Sequence, residues 1–441
     1  MASPLPLTDT MDDPIQALLG GRYLDEETGT AVGIETRSLI IEDSLAGSEA
    51  ELVADLGFGG TLAIISDPTT QDVLGARVES ALRGRFHIQS LVLPAAPYPD
   101  ETAVAAIRRA TGAADAYIAI GSGTINDLTK YTSALEGKPY AVFATAPSMN
   151  GYTSLTASIS RHGHKLTLPA QAPAGAFFDL SVLTAAPTRM IRAGLGDSVC
   201  RATAQTDWLL SHLLVETPYR QLPFDLLRSE EAQLLEMGGE LVAGNIEAMR
   251  VLVRTLVLSG LGTAIVRSSA PASQAEHLVS HYIDMLAPNG RPNVLHGEQV
   301  GVTTLSVARL QERLLASPPV IVPDTTTEAD IVAHFGRELG RSVWPEFAAK
   351  RIDQGRAQAL NQRIGDDWSA ISGQIRQAFL APSRIEAVLR QAGAPLTPAD
   401  IHLERSFYES ALLHSRKIRN RFTVLDMMAA SERLSSAVST I

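Results

Sequence analysis

Three histidines and one aspartate between residues 197 and 296 have side chains that can bind a metal ion. His277 and His281 are four residues apart, so they lie on one face of a helix. His296 follows in the segment VLHGE, and Asp197 ends the earlier segment GLGD. Imidazoles and a carboxylate form a ligand set for a zinc-like divalent ion with an open coordination position. The spacing also fits hydrogen-bonded structural histidines and an Asp197 that caps a helix.

A glycine-rich turn in the first half of the chain has the features of a phosphate-binding loop. An apolar run at 116–120 leads directly into the turn Gly121, Ser122, Gly123, Thr124 and Ile125. A strand, such a turn and a following helix bring backbone N–H groups and the positive end of a helix dipole towards a phosphate. The spacing matches neither G-x-G-x-x-G nor the Walker A pattern. A pyrophosphate-binding turn and an ordinary tight turn therefore both fit this segment.

Two further candidate positions follow predicted strands. The strand at 140–145 is followed by a run rich in hydroxyl and amide groups that ends at Ser154. In open α/β sheets, ligands bind at the carboxyl ends of the strands. Asp67 closes the strand at 61–66, where a carboxylate can accept hydrogen bonds from ribose hydroxyls and repel a 2′-phosphate, which favours NAD over NADP. Local turns and a helix cap explain the same residues equally well.

Alternating short apolar runs and helical patterns predict a parallel α/β sheet in the first part of the chain. The predicted strands are 61–66, 90–93, 116–120 and 140–145, and the predicted crossover helices are 71–83 and 101–111. From residue 187 onward, long helical periodicities such as 199–214 and 229–242 predict a helical domain. The most apolar helical pattern, 246–266, is expected at the centre of that domain. The Ser- and Ala-rich end at 429–441 is expected to fray.

The composition of the chain limits which partners it can bind and in which cellular compartment it is expected. The 441 residues include 37 Lys and Arg against 48 Asp and Glu, and a net charge of −11 disfavours a nucleic-acid partner. One cysteine, Cys200, rules out a disulfide framework and fits a reducing compartment. The acidic first 20 residues do not resemble a secretory signal, and the apolar stretch 251–266 is interrupted by Arg254 and is shorter than a membrane span. We therefore expect a cytoplasmic protein without a membrane span.

Taken together, the motifs resemble the sn-glycerol-1-phosphate dehydrogenase family, within the superfamily of dehydroquinate synthases and iron-type alcohol dehydrogenases. The resemblance runs in order through most of the chain and is carried by GSGTINDLTKY at 121–131, TAPSMNGYTS at 145–154, GLGD at 194–197 with DW at 207–208, SSAPASQAEHLVSH at 268–281, VLHGEQVG at 294–301 and IRNRFTVLDMM at 418–428. It implies a dehydroquinate synthase-like fold: a Rossmann-like α/β domain over 1–186 and an all-α domain over 187–441. Cofactor and metal would lie between them.

The resemblance also assigns roles to residues. The NAD(P) cofactor, with NAD favoured, would contact Asp67, Gly121, Ser122, Gly123, Thr124, Ile125, Thr145, Ala146, Pro147, Ser148 and Ser154. The metal, a Zn, Ni or Fe ion, would be bound by Asp197, His277 and His296. The substrate would contact Asn150, Asp197 and His281, and Lys165 is our candidate for its phosphate. His281, one helical turn from His277, is also the candidate proton donor.

The implied reaction is metal-assisted reduction of dihydroxyacetone phosphate to sn-glycerol 1-phosphate, by a protein expected to form a homodimer. Two residues depart from the family pattern: Asn150 replaces an aspartate, and Gln274 replaces a glycine before the Glu-His pair. An amide adds an N–H donor and removes a negative charge, so a different polyol or sugar phosphate is an alternative substrate. A non-catalytic nucleotide-binding homologue is a third hypothesis, which the intact metal ligands disfavour.

Overall fold

A six-stranded parallel sheet forms the first part of the protein. The computed structural model describes residues 13–161, 164–287 and 294–441. Its strands are β1 (Tyr23–Asp25), β2 (Thr30–Val32), β3 (Ser38–Glu42), β4 (Thr61–Ser66), β5 (His87–Val92), β6 (Ala116–Gly121), β7 (Tyr140–Ala144), β8 (Thr156–Arg161), β9 (His164–Pro169) and β10 (Gly175–Asp179). The order in the large sheet is β3-β10-β7-β6-β4-β5, while β1-β2 and β8-β9 form antiparallel pairs.

The central strands are apolar because helices cover both faces of the sheet. Every residue of β6, β7 and β10 is buried, and neighbouring strands pair in parallel along their length. Continuous apolar runs of this kind are typical of strands enclosed between two helix layers. Their carboxyl ends consequently meet at one edge of the sheet, next to the switch in strand order, which lies between β4 and β6.

The strand predictions were correct for three of the four runs and incomplete at the sheet margin. Strands β4, β6 and β7 match the predicted runs within one residue. The run at 90–93 belongs to β5, which begins earlier, at His87. Its mostly apolar letters SLVL are typical of a strand buried on both faces, whereas β5 is the edge strand and its Val92 is 44% exposed. Two strands of the sheet, β3 and β10, were not predicted at all.

Helices account for most of the remaining residues, both between the strands and after them. The helices are α1 (Pro14–Leu19), α2 (Glu49–Ala54), α3 (Pro68–Thr70), α4 (Ala76–Leu82), α5 (Glu101–Thr111), α6 (Gly123–Glu136), α7 (Leu180–Thr184), α8 (Thr188–Val215), α9 (Leu222–Asp225), α10 (Arg228–Leu234), α11 (Gly238–Val242), α12 (Ile246–Ile265), α13 (Ala275–Leu286), α14 (His296–Leu315), α15 (Glu328–Phe335), α16 (Arg337–Lys350), α17 (Gln354–Ala378), α18 (Pro382–Gln391), α19 (Arg405–His414), α20 (Val424–Ala430) and α21 (Leu434–Val438). A π-helical segment, Gln71–Gly75, joins α3 to α4, and short 3-10 turns occur at Gly151–Thr153, Ala270–Ala272, Pro398–Ile401 and Ser415–Lys417.

The long helices largely follow the predicted periodicities. The predicted helix at 101–111 is α5, and the pattern at 199–214 is the second half of the 28-residue helix α8. The pattern at 229–242 was predicted as one helix, but it forms α10 and α11 with a break between them. The expected fraying of the C-terminus is wrong, because Leu434, Ala437 and Val438 of α21 are buried in the helical core.

Helix α12 is the predicted central helix. Among the described residues it is the one helix whose length and composition would allow it to cross a membrane, with a mean hydropathy of 1.4. With 20 residues its length does not exclude a span, but 72% of the apolar window is buried inside the protein, as in a core helix. Its side chains share one core with the sheet strands and α8, so the α/β and helical parts pack on a continuous apolar interior. The domain boundary at residues 186 and 187 stays a prediction.

Candidate active site

The predicted cofactor residues follow the carboxyl ends of three adjacent strands. Asp67 follows β4, Ser122 follows β6, and Thr145 follows β7. The Thr145 N–H donates to the Gly121 carbonyl at 3.3 Å, so the last two segments are in direct contact. The structure therefore brings together the glycine turn, the loop after β7 and the candidate ribose-binding carboxylate at one edge of the sheet.

The glycine turn leads into the N-terminus of a long helix. Ser122 is the N-cap of the 14-residue helix α6, and its side chain makes no capping hydrogen bond to the first turn. The N–H groups of Gly123, Thr124 and Ile125 precede the first helical hydrogen bond, which runs from Asn126 N to Ser122 O at 2.9 Å. Their partial positive charge and that of the helix dipole suit the pyrophosphate of a dinucleotide. The residues present thus fit the cofactor that the sequence implied.

Asp67 has the local role that the sequence left open. Its Oδ1 accepts a hydrogen bond from Thr70 N at 2.8 Å, and its N–H donates to Thr70 Oγ1 at 3.0 Å, a capping box that starts α3. The side chain is only half-buried at the carboxyl end of β4. A cap and a ribose-binding residue are compatible, because a carboxylate accepts several hydrogen bonds. The cofactor role of Asp67 stays a prediction.

A buried lysine fixes the loop after β7. The Nζ of Lys130, which is inaccessible to solvent, donates to the carbonyls of Gly151 at 2.5 Å, Ser154 at 3.1 Å and Thr156 at 3.3 Å, and to Ser154 Oγ at 3.2 Å. Burial lowers the pKa of Lys130 to about 8, and the nearby Asp127 carboxylate opposes this shift. The Ser154 hydroxyl is therefore engaged within the loop. Lys130 was not predicted to have a role, although a lysine amid the hydroxyl and apolar positions of α6 was a usable signal.

The three predicted metal ligands come from three different helices and meet at one point. Asp197 lies in α8, His277 in α13, and His296 is the first residue of α14. One ligand atom from each lies within 4.8 Å of the others, and the two imidazole ring centres are 5.2 Å apart. His277 Nε2 is 3.8 Å from Asp197 Oδ1. The structure thus assembles side chains that are almost 100 residues apart in the sequence.

This donor set fits a divalent metal ion. Ligand atoms at about 2.1 Å from one ion are at most about 4.2 Å apart, so small side-chain movements suffice for binding. A second group, Cys200, Glu276 and His277, also has donor atoms within 4.8 Å of one another. Burial raises the pKa of the Cys200 thiol, which donates to the Asp197 carbonyl at 3.0 Å, so it is not a thiolate ligand. The set of Asp197, His277 and His296 is therefore the better metal site.

Glu276 orients the His277 imidazole. Its Oε1 is 3.0 Å from His277 Nδ1, which leaves Nε2 directed towards Asp197. The Glu276 carboxylate also accepts from Gln274 N at 2.6 Å and Thr203 Oγ1 at 3.1 Å. Burial raises the pKa of the Glu276 carboxyl, but the hydrogen bond and charge of His277 and the hydrogen bond from Gln274 N lower it by more, so the net pKa is below the usual value. A carboxylate behind a ligating histidine fixes the tautomer that coordinates through Nε2.

Glu276→Gln is expected to weaken metal binding by about 10- to 100-fold, because an amide holds the imidazole less strongly in the coordinating tautomer. Calorimetric titration of the apoprotein with Zn²⁺ or Ni²⁺ measures this change directly. Glu247→Gln is the matched control, since Glu247 is an exposed carboxylate that pairs with Arg250 on the surface of α12. Equal metal affinities for Glu276→Gln and the control would show that Glu276 does not act on the metal site.

The predicted substrate residues Asn150 and His281 lie beside this centre. The Asn150 N–H donates to Asp197 Oδ2 at 2.8 Å, and its Nδ2 is 3.5 Å from Ser259 Oγ on α12. The ring centre of His281 is 6.2 Å from that of His277. Lys165 belongs to β9, but its side chain lies outside the described residues. Its predicted contact with phosphate therefore stays a prediction.

Two glycines of the GLGD segment allow the backbone contacts that assemble the site. A Cβ on Gly194 would lie 1.7 Å from the Pro147 carbonyl oxygen in the loop after β7. A Cβ on Gly196 would lie 2.1 Å from the Gly297 carbonyl oxygen at the start of α14. Helix α8 can therefore approach both the cofactor loop and the helix that begins with His296. This close approach is what brings Asp197 within reach of both.

The start of α14 is held by an ion pair. Arg189 near the start of α8 donates through Nε and Nη2 to the two carboxylate oxygens of Glu298, at 2.8 and 2.7 Å. Glu298 also accepts from the Leu295 N–H at 2.7 Å, immediately before His296. Such a bidentate pair fixes geometry as well as charge. It fixes the first turn of α14 and hence the position of His296.

Comparisons with known proteins agree with this arrangement. A family model described as iron-containing alcohol dehydrogenase matches residues 40–187. A protein of Halalkalibacterium halodurans named glycerol-1-phosphate dehydrogenase, NAD(P)+, is 31% identical over 375 residues, which cover 82% of this chain and 85% of that protein. Its namesake from Pyrococcus furiosus is 33% identical, over 71% of this chain and 96% of that protein. Similarity at this level over most of both chains shows common family membership.

The solved structures agree on the fold. A probable glycerol dehydrogenase from Sinorhizobium meliloti superposes with a TM-score of 0.59 at 16% identity, covering 92% of this chain and 98% of the other. Maleylacetate reductase from Agrobacterium tumefaciens gives a TM-score of 0.60 at 14% identity, covering 91% and 95%. The predicted combination of a Rossmann-like α/β part and an all-helical part is thereby confirmed, and the chain belongs to the glycerol-1-phosphate dehydrogenase family, which has the fold of the iron-containing alcohol dehydrogenases.

Proposed function

We propose that the protein is an NAD(P)-dependent, metal-assisted oxidoreductase that reduces dihydroxyacetone phosphate to sn-glycerol 1-phosphate. The observation that carries this proposal is the hydrogen bond from Asn150 N to Asp197 Oδ2 at 2.8 Å. It joins the loop at the carboxyl end of the sheet, where a dinucleotide fits, to the metal-binding side chains of the helical part. A dinucleotide held by this loop and a substrate held beside the metal-binding side chains would be neighbours at such a junction. The similarity to proteins named glycerol-1-phosphate dehydrogenase supports the choice of substrate.

Each residue then has a defined task. Asp197, His277 and His296 would hold the ion, and the N-terminus of α6 would hold the cofactor pyrophosphate. When bound, the ion supplies Lewis-acid polarisation of the ketone, and the reduced nicotinamide supplies the hydride. His281 holds the proton that the ketone oxygen gains, directly or through water. Lys130 keeps the loop around Asn150 in place, so that the cofactor and substrate sites stay aligned.

Asn150 favours a second candidate function, the reduction of another phosphorylated ketone or sugar. Its amide nitrogen points to Ser259 on α12 at 3.5 Å, and no negative charge stands where the family has a carboxylate. An amide presents an additional donor to a substrate hydroxyl. The preferred ketone can therefore differ from dihydroxyacetone phosphate while the cofactor and metal chemistry stay the same.

The test is NADH oxidation by the metal-reconstituted protein with dihydroxyacetone phosphate, dihydroxyacetone and other phosphorylated ketones, each with and without a chelator. Chelator-sensitive turnover confined to dihydroxyacetone phosphate would support the proposed reaction. Turnover confined to a different ketone would favour the second candidate. If NADH bound without any turnover, the protein would be a non-catalytic homologue, and restoration of turnover by Asn150→Asp would trace the loss to this position.

Asp67→Ala is expected to relax the preference for NADH over NADPH, because the carboxylate that accepts from ribose hydroxyls and repels a 2′-phosphate is removed. Dissociation constants for both cofactors, measured by nicotinamide fluorescence, give the ratio. Since Asp67 also caps α3, Thr70→Ala serves as the control, because it breaks the same capping box and leaves the carboxylate in place. An unchanged ratio in Asp67→Ala would mean that the residue only forms the turn.

Nickel, zinc and iron all suit one carboxylate and two imidazoles, so the identity of the metal stays open within this proposal. The same holds for the preference for NAD, the cytoplasmic location and the homodimer, which stay predictions from the sequence.

A further inference from the structure

A short segment near the C-terminus concentrates positive charge in an acidic protein. Residues 415–421 read SRKIRNR, with four basic side chains. Arg416 has a carboxylate partner, because its Nη2 lies 2.6 Å from Asp324 Oδ2. Lys417 Nζ lies 3.2 Å from Nδ1 of His414. Its last four residues, 418–421, begin the motif IRNRFTVLDMM, to which the proposed function gives no role.

Arg419 has no comparable partner. Its Nη2 makes one weak contact, 3.4 Å from Thr167 Oγ1, although the side chain is partly buried. Among the residues that the structure describes, no carboxylate lies within 4 Å of this guanidinium. Burial lowers the pKa of Arg419, and Glu346 offsets this only in part. A guanidinium withdrawn from water without a carboxylate is poised to bind an anion.

The surroundings of Arg419 connect it to the elements that carry the candidate site. Thr167 pairs with Ser158 in the β8-β9 hairpin, and the Ser158 N–H donates to Asp127 Oδ2 on α6 at 3.0 Å. The hairpin therefore extends from the helix behind the glycine turn to Arg419. Helix α13, which carries His277 and His281, packs against both β9 and the turn Ser415–Lys417. Arg419 thus lies where the hairpin meets the helix of the metal-binding and proton-donating histidines.

A second arginine adds to the positive potential. Arg421 is half-buried and donates to the Ser273 carbonyl and, at 3.1 Å, to Ser269 Oγ, just before α13. Burial lowers the pKa of Arg421 to about 10, and repulsion from Arg419 contributes. An anion beside Arg419 would relieve this repulsion. A phosphate, with close to two negative charges at neutral pH, would do so more than a single carboxylate.

We propose that Arg419 binds the phosphate group of the substrate and so makes the enzyme select phosphorylated ketones. The planar guanidinium offers two parallel N–H donors that match two phosphate oxygens, and Thr167 Oγ1 can add a third hydrogen bond. The inference rests on the proposed function, since it gives the phosphate of that substrate its binding residue. It also supplies a candidate in place of Lys165.

The experiment compares the wild type with Arg419→Met and Arg419→Lys, using dihydroxyacetone phosphate and dihydroxyacetone as substrates. We expect Arg419→Met to lose about 100-fold in kcat/KM for the phosphorylated ketone, mostly through KM, with little change for dihydroxyacetone. Arg419→Lys keeps the charge without the planar fork, so a smaller loss is expected. Inorganic phosphate should raise the thermal midpoint of the wild type and not that of Arg419→Met. Arg390→Met, at an exposed arginine paired with Glu386, is the control for the lost charge.

The outcomes separate this inference from the proposed function. If the wild type reduces dihydroxyacetone phosphate and both Arg419 variants do so equally well, Arg419 is not the phosphate-binding residue, while the proposed reaction stands. If the wild type does not reduce this ketone but phosphate stabilises it only when Arg419 is present, the proposed substrate fails and the phosphate site stands. If Arg419→Met does not fold, Arg419→Lys decides, because a residue that only fills space would tolerate lysine without a phosphate-specific loss.

Discussion

Replacing His277 by alanine is expected to abolish metal binding and to lower turnover by about a thousandfold or more, while NADH still binds. His277 is the central ligand, with Nε2 directed towards Asp197 and its ring 5.2 Å from that of His296. Two remaining ligands from separate helices are too few for a stable site. The cofactor, by contrast, would lie on the N-terminus of α6 and the loop after β7, which His277 does not hold in place.

Three measurements test this expectation: the metal content after dialysis, the NADH affinity by fluorescence titration, and the turnover with saturating substrate. His87→Ala is the control, because His87 is an exposed residue of the edge strand β5. Loss of NADH binding along with the metal would show that the two sites depend on each other. Turnover that survives without bound metal would remove the ion from the mechanism.

Three strands of the large sheet could be predicted closely because they are continuous apolar runs between turn residues. Strands β4, β6 and β7 are of this type. Strand β10 was missed because its five residues, GAFFD, begin with glycine and follow a stretch of alanine and proline that is typical of a loop. Strand β3 is an edge strand with only Leu39 fully buried. Their pairing with the rest of the sheet depends on contacts with distant segments, which periodicity does not contain.

Within the candidate site, side-chain types and family resemblance predicted the ligands, but not the interactions that hold these side chains in place. The capping role of Asp67 was one of two stated alternatives. His277 is hydrogen-bonded to the buried carboxylate of Glu276, the residue that precedes it in the same helix. This pair was not predicted, because adjacent residues of a helix do not usually face each other. The contacts of Lys130 with the Gly151–Thr156 region depend on a loop that lies across the end of β7. These supporting interactions follow from the tertiary fold.

The glycines of GLGD likewise have a role that only the tertiary fold reveals. Two glycines in three residues favour a flexible turn before Asp197, whereas Gly194 and Gly196 lie inside the uninterrupted helix α8. Glycine in a helix interior costs about 0.5–1 kcal/mol relative to alanine. That cost is offset here because the missing side chains allow other backbone segments to contact the helix.

Gly196→Ala is accordingly expected to destabilise the fold by about 1–3 kcal/mol or more and to impair metal binding. The added Cβ would lie 2.1 Å from the Gly297 carbonyl oxygen and 3.4 Å from Gly301 Cα. Both belong to the backbone of α14, which cannot rotate away as a side chain would. Helices α8 and α14 must therefore separate, and with them Asp197 and His296, the ligands that directly follow and precede the contact.

Urea denaturation of the metal-free protein measures the loss of stability, and a Zn²⁺ or Ni²⁺ titration of the folded variant measures the loss of affinity. Gly373→Ala is the matched control: Gly373 lies inside α17, and a Cβ there has nothing within 4 Å. This control should stabilise the protein by up to about 1 kcal/mol through helix propensity, with unchanged metal affinity. If Gly196→Ala behaved like Gly373→Ala, the α8–α14 contact would not be the constraint that sets the ligand geometry. The metal titration is made without urea, where the variant is still folded. If Gly196→Ala then binds the metal more weakly than Gly373→Ala does, the contact between α8 and α14 positions the ligands as well as stabilising the fold.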